Sequence, residues 1–321
     1  MTQFKILITD DVHPLLLEGL ERRGFITDYL PEISLEQTRE IIDSYTGLVI
    51  NSKIKVDSTF FDKAQNLRWI ARLGSGMEII DAKAAEMHGV RLISAPEGNC
   101  NAVAEHALGA LLALFRNLVR ADQEVRKGIW DREKNRGEEL SGKTVGVIGF
   151  GHTGSRFVEL LQGLNVKVLV YDKYKQLSSI ATRYTVVQDV SEIQESAEVI
   201  SLHVPLTAET KYLLDKEFIA KVKHSFYLIN TSRGPVVNTM DLLAALHSGK
   251  IRGACLDVFE NEKPASFNKE ESAFYNDLYR LPQVLLSPHI AGWTYQSKQK
   301  IATTILEKLD RIANEKNIIN Y

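Results

Sequence analysis

Between Lys143 and Gly154 the chain reads KTVGVIGFGHTG, a run of apolar residues that ends in Gly149-x-Gly151-x-x-Gly154. An apolar run of this length is a strand buried on both faces, and the glycines turn it at once into a helix. The first glycine permits the tight turn, the second lets backbone approach a pyrophosphate, and the third lets the helix lie close to the strand. The unpaired N–H groups at the helix start, around His152 and Thr153, then face an anion. A glycine triplet also marks ordinary turns, so its context matters. Ser155 to Leu164 has the pattern of an amphipathic helix, and Lys167 to Asp172, KVLVYD, is a second buried strand ending in a carboxylate 23 residues after Gly149. Strand, glycine turn, helix and acidic strand end together predict a dinucleotide site. Asp172 selects the dinucleotide: its carboxylate can accept from both ribose hydroxyls and repels a 2′-phosphate, which favours NAD. Lys173 and Lys175 keep NADP open, and an Asp that merely caps the next turn is the plainer reading.

A length of 321 residues exceeds one typical core, so two domains are expected. With 44% hydrophobic and 25% charged residues the composition is that of a globular protein. A formal net charge of −2 and the lack of any Lys/Arg-rich run argue against a nucleic-acid partner. Cys100 and Cys255 are too few for a disulfide framework or a metal cage, and a reducing, cytoplasmic setting fits them. The N-terminus enters a strand within four residues, without the pattern of a signal peptide. The longest apolar stretch, Ala102 to Phe115, is interrupted by Glu105 and His106 and is too short to span a bilayer, so no membrane partner is expected.

Residues 1 to 98 alternate strand patterns (4–10, 47–52, 67–74 and 90–96) with helical ones (14–22 and 59–65), the rhythm of a parallel sheet covered by helices. Leu73-Gly74-Ser75-Gly76 follows one strand and precedes Asp81. Its bare N–H groups suit a small anion such as a carboxylate, and a plain turn is an equal reading. Asn99 to Gly128 is expected as one long element, with Asn99 or Asn101 as N-cap and Gly128 as the close. Its first half is apolar around most of its circumference, which suggests a helix buried between domains or in a dimer. Glu105 and His106 are adjacent, so they do not share a helix face as metal ligands do, and both read as structural. After the glycine turn, strands are expected at 199–205, 226–234, 253–259 and 284–293. Ligands of a doubly wound sheet bind beyond the carboxyl ends of its strands, so His203, Thr231, Ser232, Arg233, Asp257 and His289 are candidates for one crevice. Residues 265–281 read as a surface excursion with a short helix, and 294–314 as one amphipathic helix.

A partner for nicotinamide must be oriented and must exchange a proton while hydride moves, which calls for a cation and an acid/base. Arg233, fixed between Ser232 and Gly234-Pro235, can clamp a carboxylate bidentately, although an isolated Arg also serves as a surface ion pair. His289, after Ser287-Pro288, suits a proton shuttle or a structural place. Glu262 can hold that histidine in one tautomer, or be a solvated loop charge.

Taken together, these blocks resemble the D-isomer-specific 2-hydroxyacid dehydrogenases: Asn230-Thr-Ser-Arg233-Gly, Leu256-Asp257-Val-Phe with Glu262, Pro288-His289-Ile, Leu202-His203-Val-Pro205-Leu-Thr207, and Asn99-x-x-x-Val103-Ala-Glu105. Similarity covers the whole chain, and Gly128-Ile-Trp130 brings it nearest to the phosphoglycerate dehydrogenase branch. The resemblance implies an α/β fold of two doubly wound parallel-sheet domains, a Rossmann NAD domain (99–288) inserted into a flavodoxin-like substrate domain (1–98 plus 289–321). It implies a small 2-hydroxy or 2-keto acid as substrate, D-3-phosphoglycerate in that branch, and a homodimer through the NAD domains. It maps the catalytic set onto Arg233, Glu262 and His289, with Asp257 facing the nicotinamide amide and His203 and Pro205 flanking the adenine. Thr231, Ser232 and Gly292 join the cofactor set, and Gly74, Ser75, Gly76 and Lys53 the substrate set. Lys53, Lys55 and Arg132 are the cations available to a substrate phosphate. The chain departs from the family pattern at Met77, Glu78, Lys263 and Trp293, which leaves the substrate open. Hydroxypyruvate or glyoxylate reduction is the alternative, as is a dinucleotide-sensing corepressor. Formate or phosphite oxidation fits less well, since formate needs no acid/base pair.

Overall fold

A computed structural model describes residues 4–175 and 183–316 of the chain. The two ends of the expected substrate domain, residues 1–3 and 317–321, lie outside the described residues. The chain divides into two units, Met1–Cys100 with Trp293–Tyr321, and Asn101–Gly292.

In the first unit β1 (Lys5–Ile8), α1 (Pro14–Glu21), β2 (Ile26–Tyr29), α2 (Leu35–Ile41), β3 (Gly47–Ile50), α3 (Ser58–Phe61), β4 (Trp69–Arg72), α4 (Ala82–Met87) and β5 (Arg91–Ile93) alternate. The sheet order is β2-β1-β3-β4-β5 with every pair parallel, the flavodoxin-like winding. Side chains alternate across a strand, so each strand feeds two cores. Ile6, Ile8, Val49 and Trp69 point to one layer, and Leu7, Leu48, Ile50 and Ile70 to the other. Each such fully buried aliphatic contributes roughly 1.5–3 kcal/mol. β2 and α2 are additions to the sequence reading. β2 is an edge strand with a polar ITDY sequence, and α2 is set by a capping box in which Ser34 accepts from Gln37 N–H while the Gln37 side chain accepts from Ser34 N–H.

The expected single element from Asn99 to Gly128 is two helices. α5 (Pro96–Phe115) starts three residues earlier than expected, and α6 (Leu118–Arg126) follows at a bend of 61°. The break falls at Asn117, whose φ of 52° lies in the left-handed region that asparagine tolerates best after glycine. Gly128 does close α6, at φ 75° with its N–H on Val125 O. No single helix among the described residues is long and apolar enough to cross a membrane.

The second unit continues with β6 (Thr144–Ile148), α7 (His152–Leu161), β7 (Lys167–Tyr171), β8 (Thr185–Val186), α8 (Val190–Ser196), β9 (Val199–Leu202), α9 (Lys216–Lys221), β10 (Phe226–Asn230), α10 (Thr239–His247), β11 (Ile251–Leu256), α11 (Lys269–Arg280) and β12 (Val284–Leu286). Its seven parallel strands run β12-β11-β10-β9-β6-β7-β8, the Rossmann order with one strand added at the β11 edge. The winding reverses between β6 and β9, so a crevice opens beyond their carboxyl ends. α11 belongs to the excursion over 265–281, but Tyr275 on it is buried and stacks on Phe267 at 4.4 Å.

The last helix, α12 (Tyr295–Lys316), returns to the first unit's core with Ala302, Ile305 and Leu309 beside Leu16 and Leu20 of α1. Arg23 and Asp310 pair through two hydrogen bonds of 2.6 and 2.5 Å. The division of the chain falls at 100/101 and 292/293 rather than at the expected 98/99 and 288/289, and His289 therefore belongs to the second unit. The reason is local: side-chain bonds from Asp257 hold residues 287–291, as shown below.

Candidate active site

The glycine turn has the geometry its sequence requires. Gly149 sits at φ 95° after β6, and a Cβ on Gly154 would lie 2.0 Å from Gly149 O. Around Gly151 there is nothing within 4 Å of where a Cβ would stand, so open space meets the start of α7. His152 and Thr153 form that first turn. Asp172 closes the turn from the end of β7: Phe150 N–H donates to its Oδ2 at 2.7 Å, and Tyr174 and Lys175 N–H donate to Oδ1 at 3.0 Å each. Burial pushes this carboxyl up, but the three amides and the Lys175 charge outweigh it and hold it below the usual carboxylate range. Three of its roughly four lone-pair positions are thus occupied, which leaves room for one ribose hydroxyl rather than the expected two. The lysines that kept a 2′-phosphate open are engaged, Lys173 with Glu209 at 2.7 Å and Lys175 with Phe150 O at 2.7 Å.

Beyond β9 and β10 the structure holds two enclosed polar atoms with no partner, His203 Nδ1 and Thr231 Oγ1. Buried polar atoms are ordinarily satisfied, so orphans at the mouth of a dinucleotide crevice fit a ligand that supplies the missing bonds. His203 keeps some exposed surface, but its ring is enclosed, 5.2 Å from the Phe157 ring with Nε2 on Ser201 Oγ at 2.8 Å. Burial drives its pKa down to about 4, so the ring is neutral near pH 7. Pro205 is exposed, and its carbonyl accepts from Thr210 Oγ1. Ser232 spends its N–H and hydroxyl on Asn230 Oδ1, at 3.1 and 2.8 Å, and Asn230 Nδ2 donates to Arg233 O. Asn230 is the internal brace of the NTSRG turn.

Arg233 leaves that turn with Nη1 donating to Ser232 O at 2.7 Å. The next residue must be glycine, because a Cβ on Gly234 would lie 1.8 Å from Phe259 O. This backbone contact brings the segment carrying Glu262 against the segment carrying Arg233. Glu260 locks the same segment, accepting from Thr239 N–H and from Tyr212 O–H, each at 2.7 Å. Glu262 Oε2 then meets His289 Nδ1 at 2.8 Å. Burial raises the Glu262 carboxyl, but the His289 hydrogen bond and charge, with Phe259 N–H and Arg233, bring it below the usual range. His289 itself stands at φ 56°, a left-handed backbone that a non-glycine residue seldom adopts. Asp257 holds that backbone. It is 1% exposed, and it accepts from Ile290 N–H at 2.9 Å, Ala291 N–H at 2.8 Å and Ser287 Oγ at 2.5 Å. The carboxylate expected to face the nicotinamide amide thus also holds the turn that carries His289, with only one of these bonds on Oδ2. Gly292 follows as the last residue of the unit.

In the first unit, the loop after β4 keeps only part of its expected role. Gly74 N–H is used by Arg72 O at 2.8 Å, so the N–H groups of Ser75 and Gly76 are the pair that remains for an anion. Lys53 Nζ donates to Pro31 O, and Arg72 Nη1 lies against the loop, 1.9 Å from where a Cβ on Gly74 would stand. Asp81 caps α4, accepting from Ala84 N–H at 3.0 Å.

The sequence model of the NAD-binding domain of D-isomer-specific 2-hydroxyacid dehydrogenases matches residues 108–291. The chain belongs to this family. It is 33% identical, over 98% of its length, to the D-3-phosphoglycerate dehydrogenase of Methanocaldococcus jannaschii, of which it spans 59%. It is 38% identical to the glyoxylate reductase of Thermofilum pendens, over 77% of this chain and 72% of that one. Among solved structures, the D-lactate dehydrogenase of Aquifex aeolicus with NAD and lactic acid superposes with a TM-score of 0.84 at 25% identity, covering 98% and 97% of the two chains. The second unit is therefore the family's NAD-binding domain, and the turn, the crevice and the orphaned atoms found in it fit that dinucleotide.

One residue outside the expected set joins the second unit's network. His106, read as structural from the sequence, has Nε2 on Ser287 Oγ at 2.9 Å, and Ser287 in turn bonds Asp257.

Proposed function

We propose that this protein is an NAD-dependent dehydrogenase that interconverts a D-2-hydroxy acid and its 2-keto acid. The observation that carries the reading is the Glu262–His289 pair. An ionised carboxylate only accepts, so the proton between the two sits on Nδ1, and Nε2 is the nitrogen left to exchange a proton with a substrate. NAD supplies or takes the hydride when bound. His289 gives its proton to the carbonyl oxygen as C2 is reduced, and takes it back in the reverse direction. Arg233 binds the substrate carboxylate and polarises the carbonyl, and Glu262 keeps His289 in the useful tautomer.

For substrate the reading is D-3-phosphoglycerate, supported by the 33% identity to a D-3-phosphoglycerate dehydrogenase and by the anion-binding features of Arg72, Ser75 and Gly76. Glyoxylate or hydroxypyruvate reduction is the second reading, favoured by the 38% identity to a glyoxylate reductase. Rates with NADH and 3-phosphohydroxypyruvate, hydroxypyruvate, glyoxylate and pyruvate separate the two. Equal rates with phosphorylated and plain hydroxypyruvate remove the phosphate site, and no turnover of any keto acid leaves a cofactor-binding protein of the corepressor type. The reading includes a cytoplasmic homodimer. Of the apolar stretch Ala102 to Phe115 expected to meet a partner, Ala104, Ala107, Leu111 and Phe115 are buried in their own unit, and exposed Leu118, Val119 and Val125 of α6, with Ile129 and a Trp130 that is 80% exposed, support a dimer surface instead. A monomer in light scattering at micromolar concentration contradicts this part.

A further inference from the structure

The turn carrying His289 follows β12, a three-residue edge strand whose residues are only partly buried, and it places a non-glycine residue in the left-handed region. Backbone bonds tie it to the end of β11, Ser287 N–H to Leu256 O at 3.0 Å and His289 N–H to Asp257 O at 2.8 Å. To these is added a chain of side-chain bonds reaching α5. Asp257 accepts two backbone N–H groups, and in its 2.5 Å contact with Ser287 the serine hydroxyl donates to Oδ1. Ser287 Oγ has no second proton to give. The 2.9 Å contact with His106 must therefore run the other way, with His106 Nε2–H donating to Ser287 Oγ. His106 sits on a helix anchored in the second unit's core by Ala104, Ala107 and Leu111, all fully buried. The directions are fixed from end to end: His106 Nε2–H donates to Ser287 Oγ, Ser287 Oγ–H donates to Asp257, and the N–H groups of Ile290 and Ala291 donate to the same carboxylate.

We propose, resting on the dehydrogenase reading above, that His106 and Ser287 are positioning residues for proton transfer. They orient the Asp257 carboxylate, and that carboxylate sets the backbone that aims His289. Neither touches the reacting groups. Their loss should therefore lower turnover without weakening the cofactor.

The test compares wild type, His106→Leu, His106→Gln and Ser287→Ala in the full chain, each at a temperature where circular dichroism shows it folded. With the best keto acid of the panel, His106→Leu and Ser287→Ala are expected to lose about tenfold to hundredfold in kcat, the scale of a misplaced reacting group. NADH affinity by fluorescence titration should stay within about twofold, and His106→Gln, whose amide can still donate to Ser287, should recover most of the rate. Unchanged kcat in both His106→Leu and Ser287→Ala overturns the proposal, as does a Gln variant no better than Leu. A second readout does not depend on turnover. The downfield proton resonance of the His289 Nδ1–H bonded to Glu262, assigned by its loss in His289→Ala, should be sharp in wild type and in His106→Gln and broadened in His106→Leu. A sharp resonance in His106→Leu overturns the tether even if no keto acid is turned over. Absence of wild-type turnover with the resonance behaving as expected sinks the dehydrogenase reading alone.

Discussion

Two turns of the second unit do opposite things with the same backbone problem. The turn at Gly149–Gly154 reaches a left-handed position and a close approach by removing side chains, and its chemistry is that of bare N–H groups. The turn at Ser287–Ala291 also reaches a left-handed position, at His289, but keeps the side chain and holds the strain with a buried carboxylate. A ligand-binding turn tolerates glycine because backbone does the work. An acid/base turn cannot, because the imidazole is what the position exists to present.

The largest expected effect strikes the second turn. His289→Ala should lower kcat by about 10²–10⁴-fold at every pH while fluorescence titration shows NADH binding nearly intact. If affinity fell as far as turnover, the two turns would not be functionally separate. The first turn should fail in the reverse sense. Gly154→Ala puts a Cβ 2.0 Å from Gly149 O, so stability should fall by about 1–3 kcal/mol together with NADH affinity. Gly151→Ala meets no atom within 4 Å, so its melting temperature should hold while NADH binds more weakly. A Gly151→Ala protein that binds NADH normally would mean that nothing approaches that backbone.

Charge comes next. Glu262 is held below the usual carboxylate range, stays ionised through neutrality and accepts the His289 Nδ1–H. Glu262→Gln keeps the shape but removes that charged acceptor, so kcat/KM should fall about tenfold or more in both directions. Wild-type rates in this variant would uncouple the pair. Strain is a smaller matter. His289→Gly should melt about 2–4 °C above His289→Ala, since only glycine takes a φ of 56° without a cost near 1 kcal/mol. The mildest change is Asp172→Ala. With one carboxylate lone pair open to ribose, NADH should weaken roughly two- to tenfold and NADPH should be less strongly refused. Wild type that binds both equally would remove Asp172 as the selector.

Most of the framework is legible in the chain itself, for a physical reason. Strands buried on both faces, such as β6 and β7, are unbroken apolar runs, and a glycine triplet at their end has few other uses. β2 escaped because an edge strand can be polar. α2, at seven residues, is too short for periodicity, and its capping box was the better signal. The motif blocks singled out Glu262 and His289, which the fold brings to 2.8 Å of each other. The support of that pair was not legible, since burial of Asp257 is a tertiary fact, and His106 lies 181 residues from the serine it bonds. The contact of Lys53 with Pro31 O was illegible for a related cause: exposed lysines reach whatever carbonyl is near, and no local pattern says which.

The packing of α12 against α1 has a consequence for the order in which the molecule can be made. Leu16 and Leu20 leave the ribosome with part of their apolar seat missing, because Ile305 and Leu309 are encoded after the whole of the second unit. The 192 residues from Asn101 to Gly292 must be translated in between. At roughly 5–20 residues per second that is a wait of about ten to forty seconds, ample for the inserted unit to fold first. The segment made first is thus completed last, and during that interval its uncovered greasy stripe is the part of the nascent chain a chaperone has most reason to hold.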